Sequence, residues 1–203
     1  ENDMPLGANK AVLFGMGGVS TGDVILIETY TAAGEASHAF SGLNGADYKS
    51  MIFEFIDIHG ATNDSDFTFQ VRDADDTYGT IQVTTNAFRA YNKQDGSSQD
   101  VHYQTSFDAL ASTGEIPLAG DAHFDAQYAI NGYMTIYNPA STTYATNFVS
   151  RLSLTLQSGN FPAMDYFIGG YANISKALTA IQFGFDSPDG NIDTGIIRQW
   201  GAK

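Results

Sequence analysis

Gly18-Val19-Ser20-Thr21-Gly22 matches the G-x-S-x-G string in which serine hydrolases hold their nucleophile. That chemistry needs a strand, a sharp turn and then a helix, so that the hydroxyl stands exposed beside an oxyanion hole. Here the string precedes the β-branched run Val24 to Tyr30, where no helix can start, and a glycine-rich turn is the better reading. Gly15-Met16-Gly17-Gly18 invites a phosphate-loop reading, but both nucleotide fingerprints require a following helix and neither full string is present.

The remaining candidates are scattered. His38, His59, His102 and His123 show no i, i+2 or i, i+4 pairing and no HExxH, so they are read as ordinary histidines and no metal ligand is assigned. Two acidic loops, Asn63 to Asp66 and Asp186 to Asp193, hold the carboxylates and carbonyls that calcium takes, without the D-x-[DN]-x-[DN]-G spacing. Asx residues are also the default turn formers, so these loops are read as turns. Glu54, a lone acid within the apolar run Ile52 to Ile58, suits an ion pair or an exposed face better than the paired carboxylates of a glycosidase. Tyr91, Asn92, Tyr128, Tyr144 and Tyr171 could stack on sugars, although edge packing and interface filling are favoured. No catalytic, cofactor-binding or metal residue is assigned.

The elements that would position these groups are strands. The 203 residues are 43% hydrophobic and include 14 Phe and 11 Tyr, rings that suit a pleated, half-buried surface, with 21 Gly for tight turns. Nine Lys and Arg against 23 Asp and Glu give a net charge of −14. Such a surface repels phosphate backbones and anionic membranes, so neither nucleic acid nor membrane insertion is expected. With no cysteine, disulfides, Cys-containing zinc sites and thiol catalysis are excluded. No apolar run approaches a spanning helix, and no basic-then-apolar leader pattern is seen, so synthesis in a cytosol is expected.

Along the chain, residues 1–23 are expected to form an extended arm and residues 24–203 a single domain. Val24 to Tyr30 reads as a buried strand, Ser37 to Phe40 as a short one, and Met51 to Ile58 as a central strand covered on both sides. Asp66 to Arg72 alternates with Phe67, Phe69 and Val71 on one face, and is expected to form a hairpin with Thr80 to Thr85. Residues 86–127 read as long loops, with a short helix or single helical turn at Ser106 to Leu110. Strand pattern resumes at Asn131 to Tyr137, Asn147 to Leu156, Phe167 to Tyr171, Ala180 to Asp186 and Asp193 to Trp200. Nine or ten strands and no amphipathic helix predict an all-β, antiparallel two-sheet β-sandwich of jelly-roll type.

Several short stretches, spread over nearly the whole chain, resemble a family of marine tailed-bacteriophage structural proteins. They include Met4 to Lys10, Phe53 to His59, Ala61 to Asp64, Phe88 to Tyr91, Tyr137 to Tyr144, Gly169 to Tyr171 and the close from Ala180 through Ile197. Trp200 and the Pro188-Asp189 pair depart from the pattern. The resemblance implies a non-enzymatic virion component that carries no transferable catalytic residues and needs no cofactor. Its place would be the particle surface, as a tail-fibre or receptor-binding module or a capsid decoration protein. Its partners would be other virion proteins and copies of itself, in a homo-oligomer such as a trimer, with the arm clasping a neighbour. The alternative expectation is a lectin-like module that binds host surface glycan.

Overall fold

The structure is a computed structural model that describes residues 23–45, 47–122, 128–155, 162–186 and 190–203. Its elements are β1 (Val24–Thr31), β2 (Ser37–Ser41), β3 (Ser50–Gly60), β4 (Ser65–Arg72), β5 (Val83–Asn92), β6 (Gln99–Tyr103), β7 (Ile116–Ala122), β8 (Ile130–Tyr137), β9 (Thr146–Thr155), β10 (Ala163–Ala172), β11 (Ala180–Phe185) and β12 (Ile192–Ala202). Every pairing is antiparallel. One sheet has eight strands in the order β1-β12-β3-β8-β9-β10-β5-β6, and the other has four, β2-β11-β4-β7. The all-β sandwich read from the sequence is the observed fold.

The connectivity is that of a jelly roll with two inserted hairpins. With β5, β6, β9 and β10 set aside and the other eight strands lettered a to h, the sheets read a-h-c-f and b-g-d-e. The hairpin β5–β6 is inserted between d and e, and β9–β10 between f and g. The two hairpins meet where β10 pairs with β5 along its whole length, Ala163 opposite Asn92 to Ala172 opposite Val83. Four strands thus extend one sheet well beyond the other.

The core lies between the sheets and follows the period-2 alternation. Phe67, Phe69 and Val71 are buried on one face of β4, and Ile181, Phe183 and Phe185 on β11. Phe148, Leu152 and Leu154 of β9 are buried while Asn147, Val149, Arg151 and Ser153 are exposed. Phe183 sits at the centre, with ring centroids 5.1 Å from both Phe53 and Phe55 and 6.0 Å from Phe67. Beyond the reach of the four-stranded sheet, the segment 104–115 covers the inner face of the extension. Its single 3-10 turn, Thr105–Phe107, lays Phe107 flat on Tyr166 at 5.2 Å, and the Tyr166 hydroxyl donates to the Gly120 carbonyl.

Several sequence expectations are corrected. Val24 to Tyr30 is not a buried strand: β1 is a sheet edge, and Ile25, Leu26 and Ile27 are exposed. β3 is central, but Met51, Phe53, Phe55 and Ile58 face the core while Ile52, Glu54 and Ile56 lie half-buried on the open face. β4 does not pair with β5; it runs between β11 and β7, and the chain crosses to the other sheet after Arg72. Residues 86–127 are not mainly loop, since they hold most of β5 and all of β6 and β7. β6 is an edge strand with both faces largely in solvent, so it carries no apolar alternation. β7 contains Pro117 and Gly120, and as an edge strand it tolerates the proline. The helix expected at Ser106 to Leu110 is the one 3-10 turn, without a side-chain cap. The described strands number twelve, and the short strand at Phe167 to Tyr171 is the end of the longer β10. The expected arm, apart from Asp23, lies outside the described residues, as do His123 and Leu156.

Gly195 is a point of close backbone approach. It has φ +121°, and a Cβ there would come 2.6 Å from the Asp57 carbonyl and 2.8 Å from Ile58 Cα. Asp57 itself has φ 51°, and the β12–β3 register shifts around Thr194. The two strands are bulged against each other at this point.

Candidate functional site

The most distinctive surface is the open face of the eight-stranded sheet. Register places one row straight across all eight strands: Tyr103, Phe88, Phe167, Arg151, Tyr133, Glu54, Arg198 and Thr29. At about 4.8 Å per strand the row spans roughly 34 Å. Phe88 and Phe167 stack at 4.8 Å with 8° between planes, and Phe88 is 43% exposed. The Arg151 guanidinium lies over the Phe167 ring at 5.0 Å and reaches Asp165 at 3.2 Å. Further along, Arg198 donates to Glu54 at 3.3 Å. Tyr133, Tyr137, Val149 and Tyr171 are also exposed on this sheet, as is Leu26 of β1.

This face answers cross-strand pairing rules: stacked rings, a cation on a ring and opposed charges. Both arginines in the row are matched by an acid, Arg151 by Asp165 and Arg198 by Glu54. Exposed rings and arginine are the composition enriched at protein interfaces. Glu54, which drew attention as a lone acid, is half of one of these surface pairs.

The other candidates do not converge. His38 stacks on Tyr30 at 3.8 Å and meets Glu28 at 3.1 Å. His59 lies 3.4 Å from Asp193. His102 accepts from Arg89 Nε at 2.9 Å, which leaves its Nδ1 proton facing Asp100. Among the described residues no group of three or more His, Asp or Glu could hold a metal ion. Of the two acidic loops, Asp186 and Asp66 meet, for the Asp186 carboxylate accepts the Asp66 backbone N–H at 2.8 Å, while residues 187–189 lie outside the described residues. Gly18 to Gly22 lies outside the described residues, and β1 starts two positions later, so a strand follows it and no helix does.

Of the five proposed sugar-stacking residues, Tyr91 and Asn92 line a shallow hollow of about 490 Å³ with Val101 and Met164. Tyr91 is anchored there by its hydroxyl to Ser98 at 3.2 Å. Tyr128 is buried, Tyr144 stands 72% exposed on a loop, and Tyr171 is at the far end of β10. Tyr91 pairs with Met164, seven residues before Tyr171, which separates the two by roughly 23 Å along the strand.

A second hollow, missed by the sequence reading, lies on the outer face of the four-stranded sheet. It measures about 310 Å³ and is lined by polar groups of β2, β4 and β11 together with Glu115 and Asp186. Glu115 is held above the ordinary carboxylate range by desolvation and then by the charge of Asp186. Alternation implied the outward set Thr68, Gln70 and Gln182, but nothing in the sequence showed that β11 would lie beside β4 and align Gln70 with Gln182.

Comparison with protein-family models, with curated proteins and with solved structures found no match to this chain.

Proposed function

We propose that the protein is a non-enzymatic structural component of the surface of a tailed-bacteriophage particle, in a tail fibre or as a capsid decoration. There it contacts copies of itself and neighbouring virion proteins through the open face of the eight-stranded sheet. The observation that supports the reading is the row of Tyr103, Phe88, Phe167, Arg151 and Tyr133 across a sheet face that none of the described residues covers. The jelly-roll order adds analogy, since capsid and lectin domains both use it. The resemblance of the chain to phage structural proteins supplies the particle.

Two measurements test the proposal. Mass spectrometry of purified phage particles should find the chain at a fixed copy number, hundreds per particle for capsid or about a dozen for tail; absence from the particles overturns it. Sedimentation velocity of the purified chain should show a homo-oligomer that F88S and R151E together convert to monomer. A wild-type monomer, or an oligomer indifferent to both changes, removes the sheet face from the account.

A further inference from the structure

On the side of the molecule opposite the aromatic row, the four-stranded sheet carries a hollow with a different chemistry. Gln70 of β4 and Gln182 of β11 are register partners, and one step along, Thr68 and Ser37 flank Gly184. Because Gly184 has no side chain, the sheet is open at this point; a Cβ there would meet the Ala36 carbonyl at 3.0 Å and the Ser37 Cβ at 3.2 Å. Glu115 closes one side and Asp186 another, giving a hollow of about 310 Å³.

The two glutamines are half-buried, and among the described residues neither side-chain amide has a hydrogen-bond partner. Both glutamines line the hollow, and each amide offers a carbonyl acceptor and an NH₂ with two donor hydrogens. The Thr68 hydroxyl donates to the Gly184 carbonyl at 3.3 Å and keeps its acceptor capacity. Asp186 has one carboxylate oxygen on the Asp66 N–H. The lining thus combines amides that donate and accept with carboxylates that only accept, and it contains no cation.

We propose that this hollow is a binding site for a neutral saccharide. Vicinal hydroxyls donate and accept at adjacent positions, which matches two amides side by side, and the carboxylates take the remaining hydroxyl protons. Anions are repelled by Glu115 and Asp186. A bare metal ion lacks a third carboxylate or histidine among the described residues. The volume lies at the small end of ligand sites, enough for one or two sugar rings. The site stands on its own geometry and holds whether or not the chain belongs to a phage particle.

The test is a titration of the ¹⁵N-labelled chain with a panel of neutral hexoses, N-acetylhexosamines and their disaccharides, observing the Gln70 and Gln182 side-chain amide signals. At least one sugar shifts both pairs with a millimolar Kd. Q70A and Q182A weaken that binding about tenfold each, the loss of one or two hydrogen bonds, while the backbone spectrum stays native. Three results overturn the proposal: silence of both amides across the panel, shifts centred on Tyr91 and Val101 instead, or shifts produced by calcium alone.

Discussion

Replacing Thr85 by valine tests the side-chain part of what holds the covering segment 104–115 on β5, beside backbone hydrogen bonds between Val83 and Ser112 and from the Thr85 N–H to the Ala109 carbonyl. Thr85 is 5% exposed on the inner face of β5. Its hydroxyl donates to the Phe107 carbonyl at 2.9 Å and accepts from the Ala109 N–H at 2.7 Å. Valine keeps the shape, makes no cavity, and leaves both backbone groups without that partner. Each buried orphan costs about 1–3 kcal/mol, and the added methyl returns at most about 0.8 kcal/mol. A loss of about 3 kcal/mol follows, a large share of the roughly 5–15 kcal/mol that holds a domain folded. Urea unfolding followed through Trp200, the single tryptophan, reads the total, and hydrogen exchange at the Ala109 amide reads the local effect. Thr85→Ser, which keeps the hydroxyl, should stay within about 1 kcal/mol of wild type. A T85V variant that loses less than about 1 kcal/mol and leaves the Ala109 amide protected refutes the reasoning.

Phe183→Ala removes the ring at the centre of the core and should cost about 3–5 kcal/mol in the same urea assay, with the slope unchanged; F88A on the open face should cost far less. Gly195→Ala forces a Cβ against the Asp57 carbonyl at positive φ and should cost about 1–3 kcal/mol, seen as a lowered melting temperature. Asp73 should make stability acid-sensitive. Burial alone would raise its pKa, but the N–H groups of Asp75 and Asp76 and the Lys176 ammonium outweigh burial and hold it below the ordinary value. A depressed folded pKa gives stability that is present above the unfolded value, about 3.9, and lost as pH falls through the lower folded one. D73N should therefore flatten part of the acid limb of the urea midpoint against pH.

Strand identity was legible wherever one face is buried. β4, β8, β9 and β11 show the alternation because every second side chain faces the core. Legibility failed where burial was not one-sided. β1 is apolar in sequence yet exposed at an edge, and β6 is polar because neither face is covered. β7 hid behind Pro117 and Gly120. Pairing was less legible than strands, because the crossing after Arg72 is decided by which partner completes each sheet and not by local pattern. The candidate sites suffered most. The aromatic row takes one residue from each of eight strands, and the polar hollow aligns Gln70 with Gln182, 112 positions later. No spacing in the sequence announces either.

The place of β12 between β1 and β3 bears on how the chain is made. Both neighbours are synthesised long before it, and until residues 192–202 arrive each presents a bare ladder of backbone donors and acceptors to the cell. A chain released early would keep two open edges, one of them carrying Ile25, Leu26 and Ile27. Docking of β12 thus closes the larger sheet late, because β1 and β3 cannot be joined before residues 192–202 are made.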